Sequence, residues 1–201
     1  MIFSIMPNLL IANETDNGYS WTLTSRLGQM LREIEFLYGE RDKSYTLLGI
    51  EFQKDSPCNW YPGNCKHVII QLSLSSQTNL PCALFELAHE AVHLLSPQGK
   101  QVANHLEEGL ATFYSWHYMK KTLNLDYSHH GTKKYQTAAL MVQKLLSLRA
   151  DFFIEARKFE PIISKISASL IMQLCPEFDE DMAQILTSSF YPTYAPSIVS
   201  P

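Results

Sequence analysis

Apolar residues recur at Leu23, Leu27, Met30, Leu31, Ile34, Leu37 and Tyr38, the spacing of a helix with one buried stripe. Residues 1–12 are largely apolar and read as a first β-strand. They are not read as a secretion signal, because no Lys or Arg precedes Arg26. Residues 45–52 and 66–74 are rich in β-branched and aromatic side chains and partly alternate, with Val68, Ile70, Leu72 and Leu74 on one face. A different pattern follows. Leu84, Leu87, Ala88, Ala91, Val92 and Leu95 cover most of a helix circumference, so this helix is expected to be buried. Thr78 and Asn79 are its cap candidates, Pro81 suits its first turn, and Ser96-Pro97 stops it. A second helical stretch runs over residues 101–119. Residues 135–148, 161–174 and 176–188 then carry helical periodicity, two of them with Pro near the first position. The Pro-rich end, residues 191–201, cannot be regular helix and reads as a draped or frayed tail. The expected class is α+β: a small N-terminal mixed sheet packed on a helix pair, followed by a helical C-terminal lobe. No Gly/Ser linker intervenes, so residues 1–201 are read as one domain, with lobes at about 1–121 and 122–190.

Composition narrows the class of function. The 201 residues are 46% hydrophobic and 18% charged, enough for a sizeable core. A net charge of −4 and the lack of a dense Lys/Arg stripe argue against a nucleic-acid surface. No apolar run reaches 18 residues, so no membrane span is expected. The four cysteines show no paired CxxC spacing and read as free thiols of a cytoplasmic protein rather than a secreted one. Cys58 and Cys65 bracket a turn-rich loop, so a disulfide between them is the alternative if the protein is exported.

The buried helix carries the chemistry. His89-Glu90-Ala91-Val92-His93 places two imidazoles four residues apart on one face, close enough to share a Zn²⁺ ion. Glu90 is turned about 100° from His89, so it is free to take a proton from water rather than to bind the metal. Imidazoles and carboxylates on a buried helix need partners, and a cation satisfies several of them together. A third ligand is available downstream in Asn104-His105-Leu106-Glu107-Glu108-Gly109-Leu110-Ala111.

At Glu108-Gly109-Leu110-Ala111 the chain resembles the gluzincin clan of zinc metallopeptidases, whose two-histidine helix is followed by a glutamate ligand in an EGxA string. The resemblance covers about 26 residues and implies a zincin-like fold with His89, His93 and Glu108 as zinc ligands. Glu107 is the rival ligand and His105 a third choice. A small residue at position 109 is expected to let the two metal-bearing helices approach closely. Fourteen residues separate His93 from Glu108, a trimmed connection similar to that of compact minigluzincins. The clan often carries an aspartate four residues after the ligand glutamate, where it orients a histidine. This chain has Thr112 there, whose hydroxyl can accept a ring N–H bond but adds no charge. The metzincin extension is excluded, since it requires glycine at position 96 and histidine at position 99, where Ser96 and Gly99 stand.

The resemblance implies a zinc-dependent metallopeptidase in which metal-activated water attacks a peptide or protein substrate and Glu90 is the general base. It also implies that a sheet edge beside the metal helix pairs with extended substrate; residues 66–74, the last strand before the motif, either take that role or form an ordinary sheet strand that touches no substrate. An oxyanion stabiliser is expected from a downstream Tyr or His; His130 and Tyr135 are taken as candidates beside Tyr127 and His129, and the sequence does not choose among the four. His117 and Tyr118 fit a core or surface place, and Glu86 either supports a ligand or pairs helices. The alternative function is a zinc-binding pseudo-peptidase that acts as a regulatory or partner-binding protein. Retention of Glu90 argues against it, because a structural zinc site has no use for a water-activating carboxylate.

Overall fold

A computed structural model describes residues 9–63, 66–99 and 103–191. Its first helix, α1 (Leu23–Tyr38), starts at a reciprocal cap: Thr22 Oγ1 accepts from Ser25 N, and Ser25 Oγ accepts from Thr22 N. The stripe Leu23, Leu27, Met30, Ile34 and Tyr38 is buried as the spacing predicts. Ahead of it lies a small hairpin, β1 (Glu14–Thr15) with β2 (Gly18–Tyr19). The expected first strand over residues 1–12 is not borne out where it can be seen, since residues 9–12 are irregular; residues 1–8 lie outside the described residues.

A three-stranded sheet follows, formed by β3 (Thr46–Gln53), β4 (Cys58–Trp60) and β5 (His67–Ser73) in the order β3-β5-β4. β5 runs parallel to β3 and antiparallel to β4, so the sheet is mixed as expected. Its position corrects one expectation. The strand at 66–74 is central, flanked on both sides, and has no free edge along the stretch facing β4. The open edge near the motif belongs to Cys58–Trp60, a stretch read from sequence as loop. Val68, Ile70 and Leu72 are buried, as befits a central strand.

The sheet packs on α2 (Leu80–His93), capped by Asn79 Oδ1 accepting from Cys82 N at 3.2 Å. Glu86 on α2 accepts from Ser73 N at 2.9 Å and from Ser73 Oγ at 2.5 Å. It thereby ties the helix to the end of β5 rather than supporting a histidine. Next comes α3 (His105–Leu123), which starts four residues later than the pattern suggests because Asn104 is its cap. α4 (Lys133–Leu148) covers α3, and α5 (Phe152–Ala156), α6 (Ala168–Leu174) and α7 (Glu180–Thr187) complete the helical part. The helices expected at 161–174 and 176–188 are thus shorter. A 3-10 turn at Ile163–Lys165 precedes α6, capped by Ser167, and Asp179 caps α7. One cluster of buried apolar residues runs from Leu23 on α1 to Leu186 on α7. Among the described residues no helix is long and apolar enough to cross a membrane.

Gly109 corrects a second expectation. A Cβ built there would lie 2.6 Å from Ala138 O and 2.9 Å from Val142 Cγ2, so the close approach it permits is between α3 and α4, not between α2 and α3. The neighbour it meets is backbone, which cannot rotate away. Gly109→Ala is therefore expected to destabilise by about 1–3 kcal/mol, seen in thermal unfolding as a Tm lower by roughly 3–10 °C. An unchanged Tm would mean that the two helices part without cost.

Candidate metal centre

Three ligand-type atoms converge where α2 meets the first turn of α3. His89, His93 and Glu108 offer atoms that all lie within 4.8 Å of one another. His89 Nε2 is 3.1 Å from Glu108 Oε2, and His93 Nε2 is 3.8 Å from the same oxygen. Ligands held at 2.0–2.1 Å in a tetrahedral shell stand about 3.3 Å apart, so these spacings fit a single small cation. The two rings, 5.2 Å apart between centroids, project from one face of α2 as the four-residue spacing predicts.

Both adjacent glutamates are used, in different ways. Glu107 Oε1 lies 2.8 Å from His93 Nδ1, on the side of the ring away from Glu108. Asn104 fixes this arrangement, because its side-chain oxygen accepts from Glu107 N at 3.0 Å while its amide donates to Ser164 O. A carboxylate on the far nitrogen sets the tautomer of a ligating histidine and strengthens it as a donor. That is the charged support Thr112 was expected to lack. Thr112 Oγ1 instead donates to Glu108 O at 2.8 Å and touches no histidine. If the cluster holds a zinc ion, removing the charge by Glu107→Gln is expected to weaken its binding by about 10–100-fold in a chelator-competition titration. Equal affinity in the two proteins would show that the carboxylate does not orient the ring.

Burial makes the electrostatics severe. Glu90, Glu107 and Glu108 are each only 4% exposed. Burial, opposed by His93 and His89, raises the Glu90 carboxyl above its usual range. Burial also acts against charge on Glu108, but hydrogen bonding from His89 and the charge of both imidazoles hold it below the usual range. At His93 burial disfavours the cation, yet the Glu107 bond and the surrounding carboxylates outweigh it and push the imidazole up to about 10. Three buried carboxyls around two imidazoles form a donor set that a divalent cation would neutralise.

The cluster floors a cleft of ≈ 660 Å³. On one side stands the open edge β4, tied to the helix by Asn59 Nδ2, which donates to Glu90 O at 3.0 Å. That carbonyl is free because the last turn of α2 tightens, with Leu94 N bonding to Ala91 O instead. Asn59 Oδ1 is buried and has no partner among the described residues. On the other side are Tyr135, whose ring lies 5.8 Å from that of His89, and His130, exposed at the rim and stacked on Tyr127 at 3.9 Å. Burial and the nearby Glu108 raise the Tyr135 phenol well above its usual range, so it stays protonated.

The remaining candidates lie elsewhere. His105 Nδ1 faces Ser188 O at 3.1 Å and is outside the cluster, His117 is exposed, Tyr118 is buried in the core, and exposed His129 does not line the cleft. Cys58 is a free thiol on the cleft wall, and Cys65 lies outside the described residues. One cleft residue was not anticipated. Tyr191 stands where a tail was expected, with its hydroxyl 2.8 Å from that of Tyr135; residues 192–201 lie outside the described residues. Comparison with family models, curated proteins and solved structures finds no match to this chain.

Proposed function

We propose that this chain is a zinc-dependent metallopeptidase of the gluzincin type, with a compact zincin-like fold. One observation carries the reading: His89, His93 and Glu108 converge on one point, while Glu90, the neighbour of His89, is buried in the same cleft but outside the converging set. Two imidazoles and one carboxylate form the three-protein-ligand set of catalytic zinc, which keeps a position open, whereas a structural site closes with a fourth ligand.

When bound, Zn²⁺ supplies Lewis acidity, lowering the pKa of water toward 7 and polarising a substrate carbonyl. Glu90 accepts the proton of the attacking water and returns it to the leaving amine nitrogen; its raised pKa suits both transfers. Tyr135, protonated and beside His89, is the donor placed for the developing oxyanion. His130 has the weaker position, exposed at the rim and stacked away on Tyr127. The open edge of β4 offers main-chain groups to an extended peptide.

The test uses protein purified without chelator. Stoichiometric zinc is expected, together with cleavage of an internally quenched peptide pool that a chelator stops and added Zn²⁺ restores. Protein without metal affinity would overturn the reading. Zinc-loaded protein that cleaves nothing in the pool would turn it to a zinc-binding pseudo-peptidase.

A further inference from the structure

Strand alternation turns the three side chains of β4 two ways: Cys58 and Trp60 are exposed, while Asn59 points to α2. Its amide ends on a main-chain oxygen that the helix leaves free. In an unbroken α-helix Glu90 O would accept from Leu94 N, but the tightened last turn gives that N–H to Ala91 O at 3.2 Å. Asn59 Nδ2 takes the vacant place at 3.0 Å. A carbonyl can only accept, so the amide nitrogen must face it and Oδ1 is turned the other way. That oxygen is buried and has no partner among the described residues, so the side chain carries one orphan in order to make one directed bond.

We infer that Asn59 is a positioning residue: its amide fixes the edge strand β4 against the last turn of α2, and so sets the spacing between a peptide paired along β4 and the turn that carries Glu90 and His93. The role rests on the peptidase reading above. A substrate in this cleft is held at two places, its main chain along β4 and its scissile carbonyl where His89, His93 and Glu108 converge. The two places belong to different elements. β4 is only three residues long and has a strand neighbour on one side alone, so the sheet by itself holds it loosely. A shift of about 1 Å between reacting groups can lower a rate on the order of 100-fold, and the Asn59 bond is placed to prevent that shift.

Asn59→Leu keeps the volume and deletes both polar atoms. Losing the bond and losing the orphan oxygen act on stability in opposite directions, so the fold should survive. Asn59→Ala deletes the same donor and guards against crowding by the leucine. Full-length wild type and both variants would be compared by amide hydrogen exchange in excess chelator and, after loading with Zn²⁺, by zinc content and by kcat and KM on an internally quenched peptide. The expected result is exchange about 2–10-fold faster over residues 57–61 and 90–95 alone, and a kcat lower by about 10–100-fold with KM and zinc content little changed. Unchanged exchange in both segments would overturn the positioning role, whatever the activity. An unchanged kcat beside an active wild type would also overturn it and leave the peptidase reading intact. Loss of zinc, or faster exchange throughout the chain, would assign Asn59 to the fold and overturn it too. A wild type that holds no zinc or cleaves no peptide would sink the reading and the role together.

Discussion

Glu90→Gln is expected to keep stoichiometric zinc and to lose peptide cleavage by about 10²–10⁴-fold. The amide fills the carboxylate's space but cannot accept the proton of the attacking water. Zinc should remain because Glu90 stands outside the converging set of His89, His93 and Glu108. Folding should not suffer either, since the substitution removes one of three buried carboxyls that repel one another. Cleavage rates and metal content measured on the same preparation decide the matter. If rate and zinc fall together, Glu90 holds the metal rather than the proton, and if neither falls, the base lies elsewhere.

The second large effect is on stability. A ligand that binds only the folded protein stabilises it by RT ln(1 + [L]/Kd), about 4 kcal/mol at a thousandfold excess over Kd. For a chain of this length that corresponds to a Tm higher by roughly 10 °C. Wild type should therefore unfold at a markedly higher temperature with zinc than with chelator. His93→Ala should abolish the difference, because it removes a donor and leaves Glu107 facing no imidazole. Its melting temperature in chelator should also fall, since a buried carboxylate without a partner costs several kcal/mol. A wild-type Tm indifferent to zinc would be incompatible with the proposed centre.

What could be read from residues alone follows the range over which each signal acts. The helix with His89 and His93 was legible because a four-residue spacing fixes a shared face without help from the rest of the fold. Glu107 and Glu108 competed for one role when read along a line. In space each has its own, since one step of helix turns them to opposite sides of His93's ring. A signal for this was present in Asn104, whose capping bond orients the first turn of α3. The centrality of β5 was not legible, because its second neighbour, Cys58–Trp60, is too short to display alternation. Tyr191 left no local trace at all. Its place depends on the pairing of Ser189 with Asn104, residues far apart in sequence, and on Phe190 finding the space beside Tyr135.

Gly109 has a mechanical consequence. α3 carries Glu108 and α4 carries Tyr135, and where these helices meet only a hydrogen atom separates one backbone from the other. The gap between them is therefore fixed by main chain against main chain and does not drift as side chains change rotamer. A change in the distance between Glu108's helix and Tyr135's therefore requires the two backbones themselves to move.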